Sequence, residues 1–127
     1  MTSISGTILR ATDFTIKGNK VYVKKNMTKG QIGMLLIHGD FCIHCKHFIP
    51  TFNEINQKIG NRFACVSIES KELEGQTALV SALDFQGYPT ICFFDASGLI
   101  IGQYDGKRDT KSLLDTICKV YHHCVTK

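Results

Sequence analysis

The chain has 127 residues, of which 43% are hydrophobic and 20% are charged, proportions that suit one soluble globular domain. Its net charge is +4, and its Lys and Arg residues are scattered, with no run longer than Lys24-Lys25, a pattern that does not favour nucleic acid binding. The N-terminus lacks the basic and apolar regions of a signal peptide, and no apolar run has the length of a transmembrane helix. We therefore expect a reduced cytoplasmic protein that binds neither nucleic acid nor a membrane.

Residues 1–30 predict a β extension that precedes the main domain. Residues 14–17 and 20–24 both alternate polar and apolar side chains, and the pair Gly18-Asn19 lies between them. Two alternating runs around such a pair are typical of a β-hairpin.

The middle of the chain predicts a strand, a helix and a second strand. The continuous apolar run of residues 33–38 is typical of a buried central strand. A helix is expected from the cysteine pair at 42–45 to about Ile59, because its apolar residues recur at spacings of four and three. Residues 62–68 predict the next buried strand.

The last part of the chain adds two helices and two strands. We predict a helix over 71–84, strands over 90–94 and 99–104, and a final helix over 109–122. The order β-α-β-α-β-β-α predicts an α/β fold, with a mixed central sheet flanked by helices on both faces. We expect one domain over residues 1–127, with its core in residues 31–124.

Six cysteines are present, and only Cys42 and Cys45 are closely paired. The others are spread singly along the chain, at positions 65, 92, 118 and 124. This spacing does not resemble the framework of a disulfide-rich secreted domain. We expect the first three of these to be small core residues, and Cys124 to be exposed and available for an intermolecular disulfide.

The motif Cys42-Ile43-His44-Cys45 has the spacing that thiol–disulfide exchange requires. Exchange needs a thiolate that attacks and a second thiol close enough to resolve the mixed disulfide. A helix N-terminus stabilises negative charge, so Cys42 is the expected attacking thiol and Cys45 the resolving thiol. The imidazole of His44 would further stabilise the Cys42 thiolate.

The same motif is compatible with zinc binding. Zinc ligands could be Cys42 and Cys45 with His44 or His47, completed by the distant residues His122, His123 and Cys124. Zinc sites normally use two regular pairs of ligands, and the second pair here is irregular. The motif alone therefore favours redox chemistry and leaves zinc open.

Three segments resemble known proteins. Residues 38–50 resemble the active-site segment of thioredoxins and especially of the catalytic domains of protein disulfide isomerases, with matches at Phe41, His44, Lys46 and Pro50. Farther along the chain, residues 87–94 look like the segment that carries the family's cis-proline, and residues 104–108 are similar to the isomerase segment before the final helix. The three matches occur in the family's order, and the resemblance implies a thioredoxin fold.

The resemblance also implies roles for individual residues. Pro89 would be cis and face the dithiol, and the backbone of Tyr88 would pair with an extended substrate segment. Phe41 and Ile43 would complete the substrate-binding surface. Arg108 matches an isomerase arginine that can swing toward the resolving cysteine, where its charge would favour the thiolate.

The sequence departs from the family in two buried positions. Thioredoxins and isomerases usually carry an acid six positions before the first cysteine, where this chain has Leu36. Isomerases place a lysine beside that acid on the neighbouring strand, and the aligned position here is Cys65. Because a lone buried charge is costly, the two tend to be lost together. We expect deprotonation of Cys45 to be slower, or to depend on water or Arg108.

The resemblance implies a protein disulfide oxidoreductase that exchanges disulfides with protein substrates through Cys42 and Cys45. We expect it to need no cofactor, because the dithiol carries the electrons, and to depend on a reductase or oxidase that recharges the dithiol. The alternative is a non-enzymatic thioredoxin-like binding module whose cysteine pair is silent or binds zinc. Some large cytoplasmic DNA viruses encode small proteins of this type, which is compatible with a viral origin.

Overall fold

The computed structural model describes residues 3–122 and contains a five-stranded mixed sheet with helices on both faces. Its strands are β1 (Thr7–Ile8), β2 (Phe14–Lys17), β3 (Lys20–Val23), β4 (Gly33–His38), β5 (Ala64–Glu69), β6 (Thr90–Phe94) and β7 (Ile100–Tyr104). Its α-helices are α1 (Lys25–Thr28), α2 (Ile43–Ile59), α3 (Thr77–Leu83) and α4 (Thr110–Tyr121). The sheet has the order β1-β5-β4-β6-β7, and β2 pairs with β3 in a separate hairpin. The predicted fold class and hairpin are confirmed.

The central strand β4 explains why its sequence is apolar throughout. It pairs in parallel with β5 and antiparallel with β6, so both of its edges are covered. Met34 and Leu36 belong to the core on one face of the sheet, and Leu35 and Ile37 belong to the core on the other. All four side chains have 0% exposure, as expected for a strand buried on both faces.

Helices α2 and α4 cover one face of the sheet. Helix α2 contributes Phe48, Phe52, Ile55 and Ile59 to this core, and α4 contributes Leu113 and Ile117. The apolar residues of α2 that recur at spacings of four and three are therefore confirmed as its buried face. The opposite face of the sheet is covered by α3 and by the β2–β3 hairpin.

The N-terminal segment differs from the prediction. Strand β1 pairs in parallel with β5, with Thr7 opposite Val66 and Ile8 opposite Ser67. The main sheet thus begins before residue 30, and the predicted boundary there is not a boundary of the sheet. Helix α1, which follows the hairpin, was also not predicted.

The predicted helix over 71–84 is wrong as a single element. The structure has a 3-10 helix over Ser70–Leu73, followed by α3, which begins at Thr77. Glu74 between them is extended, and Gly75 has a φ of +75°. A left-handed residue ends a helix, so the segment divides there.

The predicted final helix corresponds to α4. It begins after Asp109, whose carboxylate accepts a 2.8 Å hydrogen bond from the Ser112 N–H, as an N-cap should. Within residues 3–122, no helix is long and apolar enough to cross a membrane.

Candidate active site

The cysteine pair lies at the start of α2, immediately after β4 ends. Cys42 is the N-cap of the helix, and its sulfur accepts a 3.2 Å hydrogen bond from the Cys45 N–H. The Cys42 side chain is partly exposed, whereas Cys45 has 0% exposure. The predicted position of the cysteine pair at a helix N-terminus is therefore confirmed, and both cysteines are free thiols.

Burial makes the Cys45 thiol hard to ionise. Desolvation is the main effect that raises the pKa of Cys45 to about 12, and its hydrogen bond with Cys42 raises the pKa further. A hydrogen bond from the Gly39 backbone and the positive charge of Arg108 lower the pKa of Cys45 by less. At neutral pH Cys45 is therefore a neutral thiol.

The loop before β6 closes over the reachable sulfur. The peptide bond between Tyr88 and Pro89 is cis, which confirms the cis-proline that the sequence predicted. The Cys42 thiol donates a hydrogen bond to the Tyr88 carbonyl oxygen, with 3.6 Å between sulfur and oxygen. Pro89 itself is buried, and β6 begins at the next residue.

Large hydrophobic side chains lie next to Cys42. Phe41 is 69% exposed and Ile43 is 56% exposed, although both are large hydrophobic residues. The Phe41 ring meets the Tyr88 ring edge-to-face at 5.5 Å, and Phe85 meets Tyr88 from another side at the same distance. Phe85 was not singled out in the sequence, where its only signal was its position three residues before Tyr88.

The two predicted basic residues of the site are both at the surface. His44 is exposed in the first turn of α2, between the two cysteines. Arg108 is exposed just before α4, and its positive charge lowers the pKa of Cys45 slightly. The catalytic roles of both residues stay predictions.

The strand register corrects the expected neighbour of Leu36. Leu36 lies directly opposite Ser67 on β5, whereas Cys65 lies opposite Met34. Ser67 has 0% exposure, and its hydroxyl has no hydrogen-bond partner within residues 3–122. Ser67, and not the aligned Cys65, is therefore the β5 residue beside Leu36. Cys65 lies two residues earlier in the strand.

Gly39 is a site residue that the sequence reasoning missed. Its carbonyl oxygen accepts a 3.2 Å hydrogen bond from the Cys42 N–H, and its backbone hydrogen-bonds Cys45. A Cβ atom at this position would lie 2.6 Å from the Phe41 ring. The only available signal was a small residue three positions before Cys42.

Cys65, Cys92 and Cys118 are the other cysteines in the described part of the chain. Cys65 and Cys92 are buried, as predicted, on opposite faces of the sheet. Burial raises the pKa of each thiol to about 12. Cys118 is half-buried and disulfide-bonded, so it is not the small core residue that was predicted, and Cys124 lies outside the described residues.

The zinc alternative depends partly on residues outside the described range. Within residues 3–122, no three His, Cys, Asp or Glu side chains are grouped so that they could hold a metal ion. His123 and Cys124, which were candidates for the second pair of ligands, lie beyond that range.

Comparison with known families identifies the fold that carries this site. The family model described as Thioredoxin matches residues 17–119, which is most of the chain. The chain belongs to the thioredoxin family. The hairpin strand β3, the dithiol and Pro89 all lie inside the matched region of this thioredoxin-family protein.

The curated relatives that the chain matches include several protein disulfide isomerases. It is 27% identical over 93 residues to the protein disulfide-isomerase erp38 of Neurospora crassa, covering 73% of this chain and 25% of that protein. It is 30% identical over 90 residues to a protein disulfide-isomerase of Medicago sativa, covering 71% of this chain and 17% of that protein. The chain thus spans a quarter or less of the length of these relatives.

Solved structures share the fold at low sequence identity. Human ERp44 form II has a TM-score of 0.69 and 16% identity, covering 94% of this chain and 31% of that chain. The germline-specific thioredoxin Deadhead of Drosophila melanogaster has a TM-score of 0.62 and 17% identity, covering 75% of this chain and 86% of that chain. At such identities these similarities establish the fold alone.

Proposed function

We propose that this thioredoxin-family protein is a thiol–disulfide oxidoreductase that acts on protein substrates through Cys42 and Cys45. The observation that carries the proposal is that the two thiols at the start of α2 differ in their exposure to solvent. Cys42 is reachable from solvent and lies against the Tyr88 carbonyl, whereas Cys45 is fully buried behind it. A dithiol exchange needs this asymmetry, because only one sulfur should meet the substrate.

The proposed reaction proceeds in two exchanges. The Cys42 thiolate attacks one sulfur of a substrate disulfide, forms a mixed disulfide and releases the other substrate sulfur as a thiolate. The Cys45 thiolate then attacks the Cys42 sulfur, which forms the Cys42–Cys45 disulfide and releases the second substrate thiolate. The substrate gains two electrons from the dithiol, and the reverse sequence oxidises a substrate dithiol.

The surface around Cys42 suits an extended polypeptide. Exposed Phe41 and Ile43 offer apolar contact to a substrate beside the sulfur. In the dithiol form the Cys42 S–H donates a hydrogen bond to the Tyr88 carbonyl oxygen. Once that proton has left, a backbone N–H of the substrate can take its place, as in strand addition.

The proposal is tested by trapping the mixed disulfide. In Cys45→Ser the second exchange is blocked, so we expect Cys42 to remain linked to protein substrates after incubation with a disulfide-containing protein. The adducts are counted by non-reducing electrophoresis and located by peptide mass spectrometry. Cys42→Ser is the matched control and should trap nothing.

The trapping result also separates the alternative of a binding module. If Cys45→Ser traps no substrate while the wild-type chain contains stoichiometric zinc, the oxidoreductase proposal fails. Equal trapping by Cys42→Ser would also contradict it, because the attack would then not come from Cys42.

A further inference from the structure

Although the basic residues are scattered along the chain, the excess of positive over negative charge lies in one stretch. Residues 10–29 contain six of the fifteen Lys and Arg residues and one of the eleven Asp and Glu residues, so this stretch carries +5 and the rest of the chain carries −1. All six are exposed, at positions 10, 17, 20, 24, 25 and 29, and Lys24 and Lys25 are the adjacent pair among them. Apart from Arg10, they lie in or next to the β2–β3 hairpin and helix α1.

Three of these lysines line a groove of about 430 Å³. Its lining includes Lys17, Lys24 and Lys25, together with the polar side chains of Thr15, Asn26 and Ser97. Its size falls within the range of roughly 300–1,000 Å³ that is usual for binding clefts. We refer to it below as the lysine groove.

The lysine groove has no acidic partner of its own. The ion pairs within residues 3–122 are Lys71 with Asp40 and Lys111 with Asp115, neither of which involves the groove. Asp95, beside the groove, accepts hydrogen bonds from the Ser97 and Leu99 N–H groups and so holds its own turn. Asp13 lies next to Lys24, whose N–H donates a 2.9 Å hydrogen bond to the Asp13 carbonyl oxygen, but the Asp13 carboxylate accepts from the Arg10 N–H. The groove lysines therefore form no ion pair within residues 3–122.

The lysine groove lies at the end of the sheet opposite the dithiol. Strand β6 begins at Thr90, next to Pro89 and the Cys42 sulfur, and Ser97 lies in the turn that follows the strand. At about 3.3 Å per residue, the five residues of β6 separate the two ends by about 16 Å. A partner in the groove would leave the dithiol open.

We propose that the lysine groove docks an acidic, Asp- and Glu-rich segment of a partner protein. Lysine ammonium groups attract carboxylates, and the hydroxyl and amide side chains of the groove can hydrogen-bond a peptide backbone. An anionic membrane would also attract the lysines, and the vesicle measurement below distinguishes it from an acidic protein segment.

Nucleic acid fits the lysine groove less well than an acidic peptide. The Lys17 ammonium lies 5.3 Å from the centre of the Tyr22 ring, so it already covers the aromatic face on which a base would stack. The cations in the groove are lysines, which lack the bidentate geometry that arginine offers to phosphates and bases.

Fluorescence anisotropy with a labelled peptide of alternating Asp and Glu tests the proposal on the full chain. We expect the wild-type chain to bind this peptide and not a matched peptide of Asn and Gln, with binding that weakens as salt is added. The triple variant Lys17→Gln, Lys24→Gln, Lys25→Gln should bind about tenfold more weakly. The dithiol activity should be unchanged, because none of these residues belongs to the dithiol site.

A second triple variant provides the control for net charge. Lys58→Gln, Lys111→Gln and Lys119→Gln remove the same charge from exposed positions outside the groove, and affinity should change by less than about twofold. Equal weakening in both triple variants would overturn the proposal, since binding would then reflect net charge alone. Tighter binding of single-stranded DNA or of phosphatidylserine vesicles through the groove lysines would overturn the choice of an acidic protein segment.

Discussion

Cys45 is the residue on which the second step of the proposed exchange depends. Its side chain is fully buried, and burial is the main reason that its pKa is raised to about 12. At neutral pH almost none of it is thiolate, although the thiolate is the attacking species. Release of the reduced substrate should therefore be limited by how the Cys45 proton leaves.

Substitution of Leu36 by glutamate tests this limit. Leu36 is fully buried opposite Ser67, whose unsatisfied hydroxyl could hydrogen-bond an introduced carboxylate. We expect Leu36→Glu to raise the rate of disulfide reduction by roughly tenfold, because a carboxylate can act as a general base for the thiol. We expect the same substitution to lower the free energy of unfolding, because a lone charge is buried.

The matched control is Leu36→Gln, which has a similar shape and no basic group. Steady-state turnover of a protein disulfide should stay at the wild-type level in this variant. A gain of the same size in Leu36→Gln, or no gain in Leu36→Glu, would show that proton removal from Cys45 does not limit the reaction.

At the scale of elements, the site depends on how closely β4 is packed between its neighbours. Gly33 begins this strand, opposite Ala64 on β5 and Phe94 on β6. A Cβ atom at Gly33 would overlap the Ala64 carbonyl oxygen and the Phe94 ring. The start of the strand that leads to the dithiol is therefore packed so closely that position 33 has no room for a side chain.

We predict that Gly33→Ala lowers the free energy of unfolding by about 1–3 kcal/mol, because the added methyl group overpacks the sheet. The control is Gly102→Ala in the edge strand β7, where a Cβ atom would have no neighbour within 4 Å. This change should alter the free energy of unfolding by less than about 0.5 kcal/mol. Denaturant titration of both variants measures the difference, and equal losses would contradict the packing argument.

The elements that could be predicted from the sequence are those in which the apolar residues occur at the buried positions. Strand β4 is apolar throughout because it is buried on both faces, and α2 repeats apolar residues where it meets the sheet. Strand β1 gave no such signal, because Thr7 and Ile8 are both exposed and are held by pairing with β5. The position of Ser67 beside Leu36 likewise depends on strand register, which no local pattern encodes.

At the scale of the whole molecule, buried thiols couple folding to alkaline pH. Burial raises the pKa of Cys45, Cys65 and Cys92 from 9.0 to about 12. In the unfolded chain these thiols ionise near 9.0, so above that pH the unfolded state binds fewer protons than the folded state. Their contribution to stability is complete below pH 9 and is lost as the pH rises toward 12.

We predict that the free energy of unfolding under reducing conditions falls by up to about 1.4 kcal/mol per pH unit for each such thiol above pH 9. The double variant Cys65→Ala and Cys92→Ala should show a shallower slope, which denaturant titrations over this pH range can measure. Burial also raises the pKa of Tyr121. Its contribution to the slope is the same in the wild-type chain and in the double variant. An unchanged slope in the double variant would contradict the linkage.

The redox equilibrium of the cysteine pair tests the central claim most directly. The wild-type chain is equilibrated in buffers of graded thiol and disulfide ratio, quenched, alkylated and analysed by peptide mass spectrometry. We expect the alkylation of Cys42 and the alkylation of Cys45 to fall together in one two-electron transition. A tenfold change in the equilibrium constant then corresponds to a change of about 30 mV in reduction potential. Cys65 and Cys92 should remain labelled after denaturation throughout, because both are buried on opposite faces of the sheet. Separate transitions for Cys42 and Cys45, or a pair that stays reduced at every ratio, would contradict the account.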